Sequence, residues 1–374
     1  MLKVLTIVGT RPELIRLSRV IAKLDETVDH VLVHTGQNYD YTLNEIFFEE
    51  LGIRRPDHLL GVDTSSLGRV LGETLIKAEE VLAAERPDAV LVLGDTNSSI
   101  AAVMAKRMRI PVYHMEAGNR CFDDRVPEET NRRLVDHVAD FNLVYTEHAR
   151  RNLLQEGLPS NRIVLTGSPL REVLTFHRSS IEASPVLGEL GLRAGEYFLA
   201  SLHRQENVDP PRRLEAAMAS LTAVSERWKI PVLVSTHPRT RARLEQLDGW
   251  DMNGIVRFHK PFGFFAYNQL QLNARCVLSD SGSISEESSI LGFPAITMRS
   301  SIERPEFIDA GGLVTTDVYR EDVVDGVAAT LSASDRGEAP PEVVEYSVGN
   351  TSERVIRLIL SHTRRYGTWL SRED

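Results

Sequence analysis

Short apolar runs recur along this chain, separated by longer stretches in which apolar positions return every three or four residues. Residues 4–8, 30–34, 89–93, 110–115, 141–145 and 163–166 are too short for helices and are bounded by polar or turn-forming residues, so they are read as buried strands. Between them, 12–24, 67–84, 98–108 and 126–138 carry helical spacing. Fully apolar strands alternating with amphipathic helices predict a parallel sheet covered on both faces. The pattern lapses over 176–195, a polar stretch read as a linker, and then resumes. Strands are expected at 197–202, 231–235, 255–259, 276–278 and 295–298, with helices at 212–228 and 283–291. A last helix, 352–365, follows a segment rich in Pro and Glu.

The expected class is α/β, with two doubly wound Rossmann-like domains facing a cleft. Length agrees, because 374 residues are too many for one ordinary core. The domains are expected over 1–175 and 176–350, and the segment 351–374 is expected to cross back to the first domain. A net charge of -10 argues against a nucleic-acid partner, which would need a basic face. No apolar run approaches the ~18 residues of a membrane span, and the opening MLKVLTIVG reads as a strand and turn with no signal-peptide cleavage site; a cytoplasmic protein is expected. Cys121 and Cys276 supply neither a disulfide framework nor zinc spacing. HExxH, GxGxxG and GxxxxGK[ST] are all absent, so zinc, nicotinamide and P-loop readings lose support.

Candidate chemistry collects where the predicted strands end, the edge at which doubly wound sheets bind ligands. The densest stretch is 114–131, HMEAGNRCFDDRVPEETN. It delivers Glu116 at the end of a strand and Glu128 and Glu129 in the first turn of a helix that Pro127 opens, where unpaired N–H groups favour negative charge. Gly9-Thr10-Arg11-Pro12-Glu13, Gly94-Asp95-Thr96-Asn97, His203-Arg204-Gln205-Glu206-Asn207, His237-Pro238-Arg239 and Asp280-Ser281-Gly282-Ser283 follow other strands. Each has a plain reading beside a functional one. Ser281-Gly282-Ser283 is either a simple helix cap or a seat for a diphosphate on free N–H groups. Glu287 is a solvated helix residue or a ribose ligand, Arg11 a surface ion-pair partner or an anion contact, and Asp95 a helix cap or a working carboxylate. His114 and His137 are read as structural, His203 as functional.

Together these motifs, with Pro127-Glu128-Glu129-Thr130-Asn131-Arg132, Glu286-Glu287 and Glu303-Arg304-Pro305-Glu306, resemble the non-hydrolysing UDP-N-acetylglucosamine 2-epimerases, in order over nearly the whole chain. The resemblance implies a glycosyltransferase-B-like fold, a UDP-sugar as the bound partner, no metal or other cofactor, and a homodimer. It assigns Asp95, Glu116 and Glu128 to proton transfer, with His203 and Arg11 at the leaving diphosphate and Ser281, Gly282 and Ser283 beneath it. It further implies Glu287 on the ribose, Tyr267 beside the uridine, and Arg304 near the phosphates or sugar. Arg16 stands where the family usually has a lysine. Gln205, His237-Pro238-Arg239-Thr240 and Thr35-Gly36-Gln37-Asn38-Tyr39-Asp40 also depart from the common pattern, at positions that in several members serve a second, activating UDP-sugar site.

The expected reaction interconverts UDP-N-acetylglucosamine and UDP-N-acetylmannosamine by anti elimination of UDP to a 2-acetamidoglucal and re-addition. An alternative is C2 epimerisation of UDP-2-acetamido-2,6-dideoxy-L-talose to UDP-N-acetyl-L-fucosamine. The short loop Gly118-Asn119-Arg120-Cys121-Phe122-Asp123-Asp124-Arg125 resembles that of the capsule and O-antigen branch. In it Phe122 either meets a C6 methyl or is simply buried. A hydrolysing epimerase and a retaining glycosyltransferase are the further alternatives.

Overall fold

The computed structural model describes residues 1–36, 41–124, 126–246, 254–299 and 301–366. The chain divides into two compact units, Met1–Phe176 with Val344–Asp374, and His177–Val343. In the first unit, β1 (Lys3–Val8), β2 (Asp29–His34), β3 (His58–Leu59), β4 (Ala89–Leu93), β5 (Val112–Met115), β6 (Phe141–Val144) and β7 (Ile163–Leu165) form one parallel sheet. Its order is β3-β2-β1-β4-β5-β6-β7, so the winding reverses between β1 and β4. β4, AVLVL, is buried along its whole length, as a central strand covered on both faces must be. Leu5, Ile7, Val90 and Val92 of the sheet pack with Ala101, Ala105 and Val135 of the covering helices.

The second unit repeats the plan with β8 (Phe198–Ser201), β9 (Val232–Ser235), β10 (Val256–His259), β11 (Val277–Ser279), β12 (Ala295–Met298) and β13 (Val314–Thr316), all parallel. The order β10-β9-β8-β11-β12-β13 places its reversal between β8 and β11. Phe198, Ala200, Val234 and Ile296 form the core with Leu214, Leu221, Val323 and Val327. Each unit is thus Rossmann-like and doubly wound, the glycosyltransferase-B-like class expected. Among the described residues no helix is long and apolar enough to cross a membrane.

Two expectations about elements need correction. The stretch 176–195 is no bare linker. It carries the short helices Arg178–Glu182 and Val186–Glu189, which bury Ile181 and Val186 and pack on the helix Phe264–Asn273. Two apolar anchors suffice there, and their polar neighbours hide them in the sequence. Nor is 98–108 one α-helix. It opens as a 3₁₀ turn, Asn97–Ala101, before the α-helix Ala102–Arg107, because the buried Ser98 and Ser99 spend their hydroxyls on Glu13 and on the Thr96 carbonyl.

The helix Thr351–His362 packs within the first unit. The Thr351 hydroxyl lies 3.3 Å from the Thr166 carbonyl oxygen and 3.1 Å from that of Ser168, and Glu172 accepts the Ser352 N–H and hydroxyl at 2.8 and 2.5 Å.

Candidate active site

The sequence-predicted residues fall into two groups, one at the strand ends of each unit. In the first unit the reversal between β1 and β4 is bridged by Glu13, in the first turn of the helix Arg11–Thr27. Its carboxyl accepts the Gly9 N–H (3.0 Å) and the hydroxyls of Thr10 (2.7 Å), Thr96 (3.1 Å) and Ser98 (2.5 Å). Burial pushes this carboxyl above the usual range, although the four hydrogen bonds pull it down. The loops that carry Arg11 and Asp95 are therefore tied to one side chain.

Asp95 is held from the other side by the helix Pro127–Val138. Arg132 binds one Asp95 oxygen through both Nε (2.9 Å) and Nη2, and its Nη1 donates to Glu129 at 2.8 Å. Asn131 donates to the Asp95 carbonyl oxygen at 3.0 Å and to Asn97 at 3.1 Å. Glu116 stands immediately after β5, with Arg16 Nε 3.5 Å from its carboxylate and with a left-handed φ of 63°. Arg16 is buried and lies 5.8 Å over the Tyr145 ring, while Arg11 lies 5.6 Å over Phe47.

The neighbours Glu128 and Glu129 differ sharply. Glu129 is buried and accepts the Cys121 N–H as well as Arg132 and Arg133. Burial raises it, yet the Cys121 N–H and the Arg132 charge leave it below the usual carboxylate range. Glu128 is half-buried and has no hydrogen-bond or ion-pair partner among the described residues. Phe122 is 70 % exposed and so is not a core residue. Gln37, Asn38, Tyr39, Asp40 and Arg125 lie outside the described residues.

In the second unit the reversal between β8 and β11 is bridged by Asp280. It is fully buried and accepts the backbone N–H groups of His203 (3.0 Å) and Arg204 (3.0 Å), Asn207 Nδ2 (3.2 Å) and His203 Nδ1 (3.0 Å). Burial would raise its carboxyl, but His203 and these donors hold it below the usual range. With Nδ1 committed to Asp280, His203 presents Nε2 outward, the arrangement that lets an imidazole serve as acid, base or phosphate donor.

The loop after β11 leads into the helix Ile284–Leu291. Ser281 and Ser283 hydroxyls lie 3.0 Å apart, and Ser283 donates to Glu287 at 2.7 Å. The other Glu287 oxygen accepts Gln271 Nε2 at 2.5 Å. Tyr267 is half-buried with its hydroxyl on Ser201, and burial beside Glu287 raises its phenol. Arg304 is buried, donates to the Gly282 carbonyl oxygen at 2.7 Å and pairs with Glu286 at 2.9 Å, so it braces this loop from within.

Sequence reasoning missed Arg299. It forms a two-pronged pair with Glu303 at 2.6 and 2.8 Å, and Arg204 approaches the same carboxylate at 3.5 Å. A side chain at Gly282 would lie 3.5 Å from both guanidinium groups. The signal available was an arginine at the end of a predicted strand, the criterion applied to the other loops. No cluster of three or more His, Cys, Asp or Glu suited to a metal occurs among the described residues.

The family described as UDP-N-acetylglucosamine 2-epimerase matches residues 22–360. A solved structure of a UDP-N-acetylglucosamine 2-epimerase from Rickettsia bellii is 44 % identical, with a TM-score of 0.92, covering 99 % of this chain and 100 % of that one. The Methanocaldococcus jannaschii UDP-GlcNAc 2-epimerase, solved in complex with UDP-GlcNAc and UDP, is 34 % identical with a TM-score of 0.90 and coverage of 96 % and 100 %. A UDP-2,3-diacetamido-2,3-dideoxy-D-glucuronate 2-epimerase of Pseudomonas aeruginosa is 35 % identical over 92 % of this chain and 99 % of the relative.

Proposed function

The chain belongs to the UDP-N-acetylglucosamine 2-epimerase family, and from that premise we propose that it interconverts UDP-N-acetylglucosamine and UDP-N-acetylmannosamine. The C2 proton of a 2-acetamido sugar lies beside no carbonyl, so direct deprotonation is too slow to be useful. Elimination avoids this. A base takes the C2 proton, the C1–O bond to UDP breaks, and a C1–C2 double bond forms. Returning a proton to the opposite face of C2 and the UDP oxygen to C1 gives the epimer.

The observation that carries this reading is the pairing pattern of the carboxylates in the first unit. Asp95 is engaged by Arg132 and Glu116 by Arg16, while Glu128 has no partner among the described residues. That pattern supports Glu128 as a proton-transfer group, with Asp95 and Glu116 completing the set, since a group that moves a proton needs an open path to its substrate. In the second unit, the Nδ1 anchor on Asp280 supports His203 Nε2 as a donor to the departing diphosphate. Ser281, Gly282 and Ser283 would seat that diphosphate, with Arg299 and Arg204 supplying positive charge beside Gly282, and Arg11 of the first unit is a further candidate anion contact. Glu287, fixed by Gln271 and Ser283, is suited to ribose hydroxyls, and Tyr267 to the face of the uridine. Arg304 braces the loop. A homodimer located in the cytoplasm belongs to the same reading, and sedimentation analysis tests the dimer.

Incubation with UDP-N-acetylglucosamine in D2O tests the reaction. Deuterium should enter C2 of the recovered nucleotide sugar, with UDP and the glucal accumulating slowly. Absence of C2 exchange with any UDP-N-acetylhexosamine would remove the proposal.

A further inference from the structure

Five non-glycine residues among those described have positive φ: Arg86, Arg109, Glu116, Phe122 and Lys229. Arg86 and Lys229 cap the ends of helices and Arg109 follows one, where the left-handed region is an ordinary way to stop. Glu116 ends no helix. It follows β5 directly at φ 63°, a conformation in which a Cβ crowds the backbone.

The groups on either side of it converge on one buried carboxylate, Asp136, in the helix Pro127–Val138. His114, two residues before Glu116, hydrogen-bonds the Gly94 carbonyl oxygen through Nε2 at 2.8 Å, and its Nδ1 lies 2.9 Å from Asp136 Oδ1 in a close contact without hydrogen-bond geometry. Gly118, two residues after, donates its N–H to both Asp136 oxygens at 3.2 Å. Arg120 then donates to Asp136 Oδ2 at 2.7 Å and grips Glu156 at 2.8 and 2.7 Å. The far side of the turn cannot yield, because Gly118 is itself left-handed and a Cβ there would lie 2.4 Å from the Ala149 carbonyl oxygen.

We infer that Asp136 is a positioning residue for Glu116: by accepting the Gly118 N–H and Arg120 while it packs against the His114 ring, it forces the residue between His114 and Gly118 into a left-handed turn, which delivers the Glu116 carboxylate beside Arg16 and the Gly94 loop. The inference rests on the proposed role of Glu116 in proton transfer. It assigns the backbone strain at Glu116 to the reaction and its maintenance to a side chain that touches no substrate.

Two measurements test it together. Glu116→Gly and Glu116→Ala both remove the carboxylate and differ only in Cβ. At an ordinary position glycine is the less stable of the two, whereas at a left-handed one the order reverses. The unfolding midpoint of Glu116→Gly should exceed that of Glu116→Ala by about 2–4 °C. Adding Asp136→Asn to both should abolish or invert that difference. Asp136→Asn alone sets an NH2 group against one of its present donors. It should lower kcat for C2 exchange by at least about 10-fold, with KM and UDP affinity changing by less than about 2-fold, as expected for a misplaced reacting group. A purely structural Asp136 would lower the midpoint and leave kcat per folded molecule unchanged, which overturns the inference, as does a Gly–Ala difference that survives Asp136→Asn. Should Asp136→Asn fail to fold, His114→Gln offers a donor to Gly94, removes the ring that packs against Asp136, and carries the same expectations. Wild-type enzyme without C2 exchange would instead remove the role of Glu116, and the midpoint comparison would still decide whether Asp136 imposes the turn.

Discussion

Two glutamates that are neighbours in sequence occupy opposite physical situations, and the difference separates fold from chemistry. Glu129 is buried with both oxygens committed, so Glu129→Gln should cost roughly 1–3 kcal/mol, because Arg132 loses one of its two carboxylate partners and keeps Asp95. Glu128 has no partner among the described residues to release. Glu128→Gln should leave the unfolding midpoint within about 1 °C, since surface-like changes are worth only tenths of a kcal/mol, and drop kcat by roughly 10²–10⁴ through loss of proton transfer. UDP affinity should hold, as Glu128 is not among the proposed UDP ligands. Calorimetric titration with UDP and steady-state kinetics on both variants check this, and near-normal kcat in folded Glu128→Gln would demote Glu128 to a helix-start residue. At this scale the sequence displays which residues carry charge and conceals which charges are spent. Asp95, Glu116, Glu128 and His203 stand out as candidates because each follows a strand or opens a helix. Glu13 and Asp280 stand in the same strand-end motifs and Asp136 in none, but the burial that makes all three orienting groups was not legible, because a carboxylate buried by tertiary contacts looks the same in sequence as one in water.

Elements were legible where one face alone is apolar or where a strand is wholly apolar. β4 and β12 match the predicted ranges, and the helix Pro127–Val138 differs from its prediction by one residue. The helix Phe264–Asn273 escaped notice because it buries Asn268 and Gln271 together with Phe264 and Leu270, which erases its periodicity. The helix Arg320–Asp335 escaped because Gly326 lies in its buried face, close to Thr316 of β13. The last segment of the chain depends on another such close approach. Gly167, just after β7, has φ +78°, and a Cβ there would lie 2.5 Å from Val348 Cγ2. Gly167→Ala should therefore destabilise the seating of the helix Thr351–His362 by about 1–3 kcal/mol, combining left-handed strain with overpacking. The expected result is faster proteolytic cleavage between residues 344 and 350 with little change in cleavage within the second unit. Equal susceptibility of mutant and wild type would mean that Val348 moves aside at no cost.

The whole molecule carries a net charge of -10, so an anionic nucleotide sugar has to be met by cations gathered locally, as Arg204 and Arg299 are gathered at Gly282. Charge also gives the two units different responses to acid. β2 of the first unit holds His30, whose side chain is covered, and His34, which is buried. Burial depresses each, outweighing the Asp25 contact at His30, and takes His34 down to about 4. Between pH 6.5 and 4 the unfolded chain binds a proton at His34 that the native chain refuses. Stability is therefore greatest above pH 6.5 and falls as pH drops towards 4, by about 3 kcal/mol for His34 alone at 1.36 kcal/mol per unit. Glu13 opposes this slope, because a carboxyl raised by burial adds stability only at low pH and loses it as pH rises through its folded value. In the second unit the buried Asp280 is depressed below the usual carboxylate range, so its contribution survives until pH falls below about 4. Hydrogen exchange corrected for intrinsic rates should show β1 and β2 losing protection between pH 7.5 and 5 while β8 and β11 keep theirs. His34→Gln, whatever it does to absolute stability, should flatten the loss in the first unit and leave the second unchanged. A parallel decline in both units, or an unaltered slope in His34→Gln, would show that His34 does not govern the acid response.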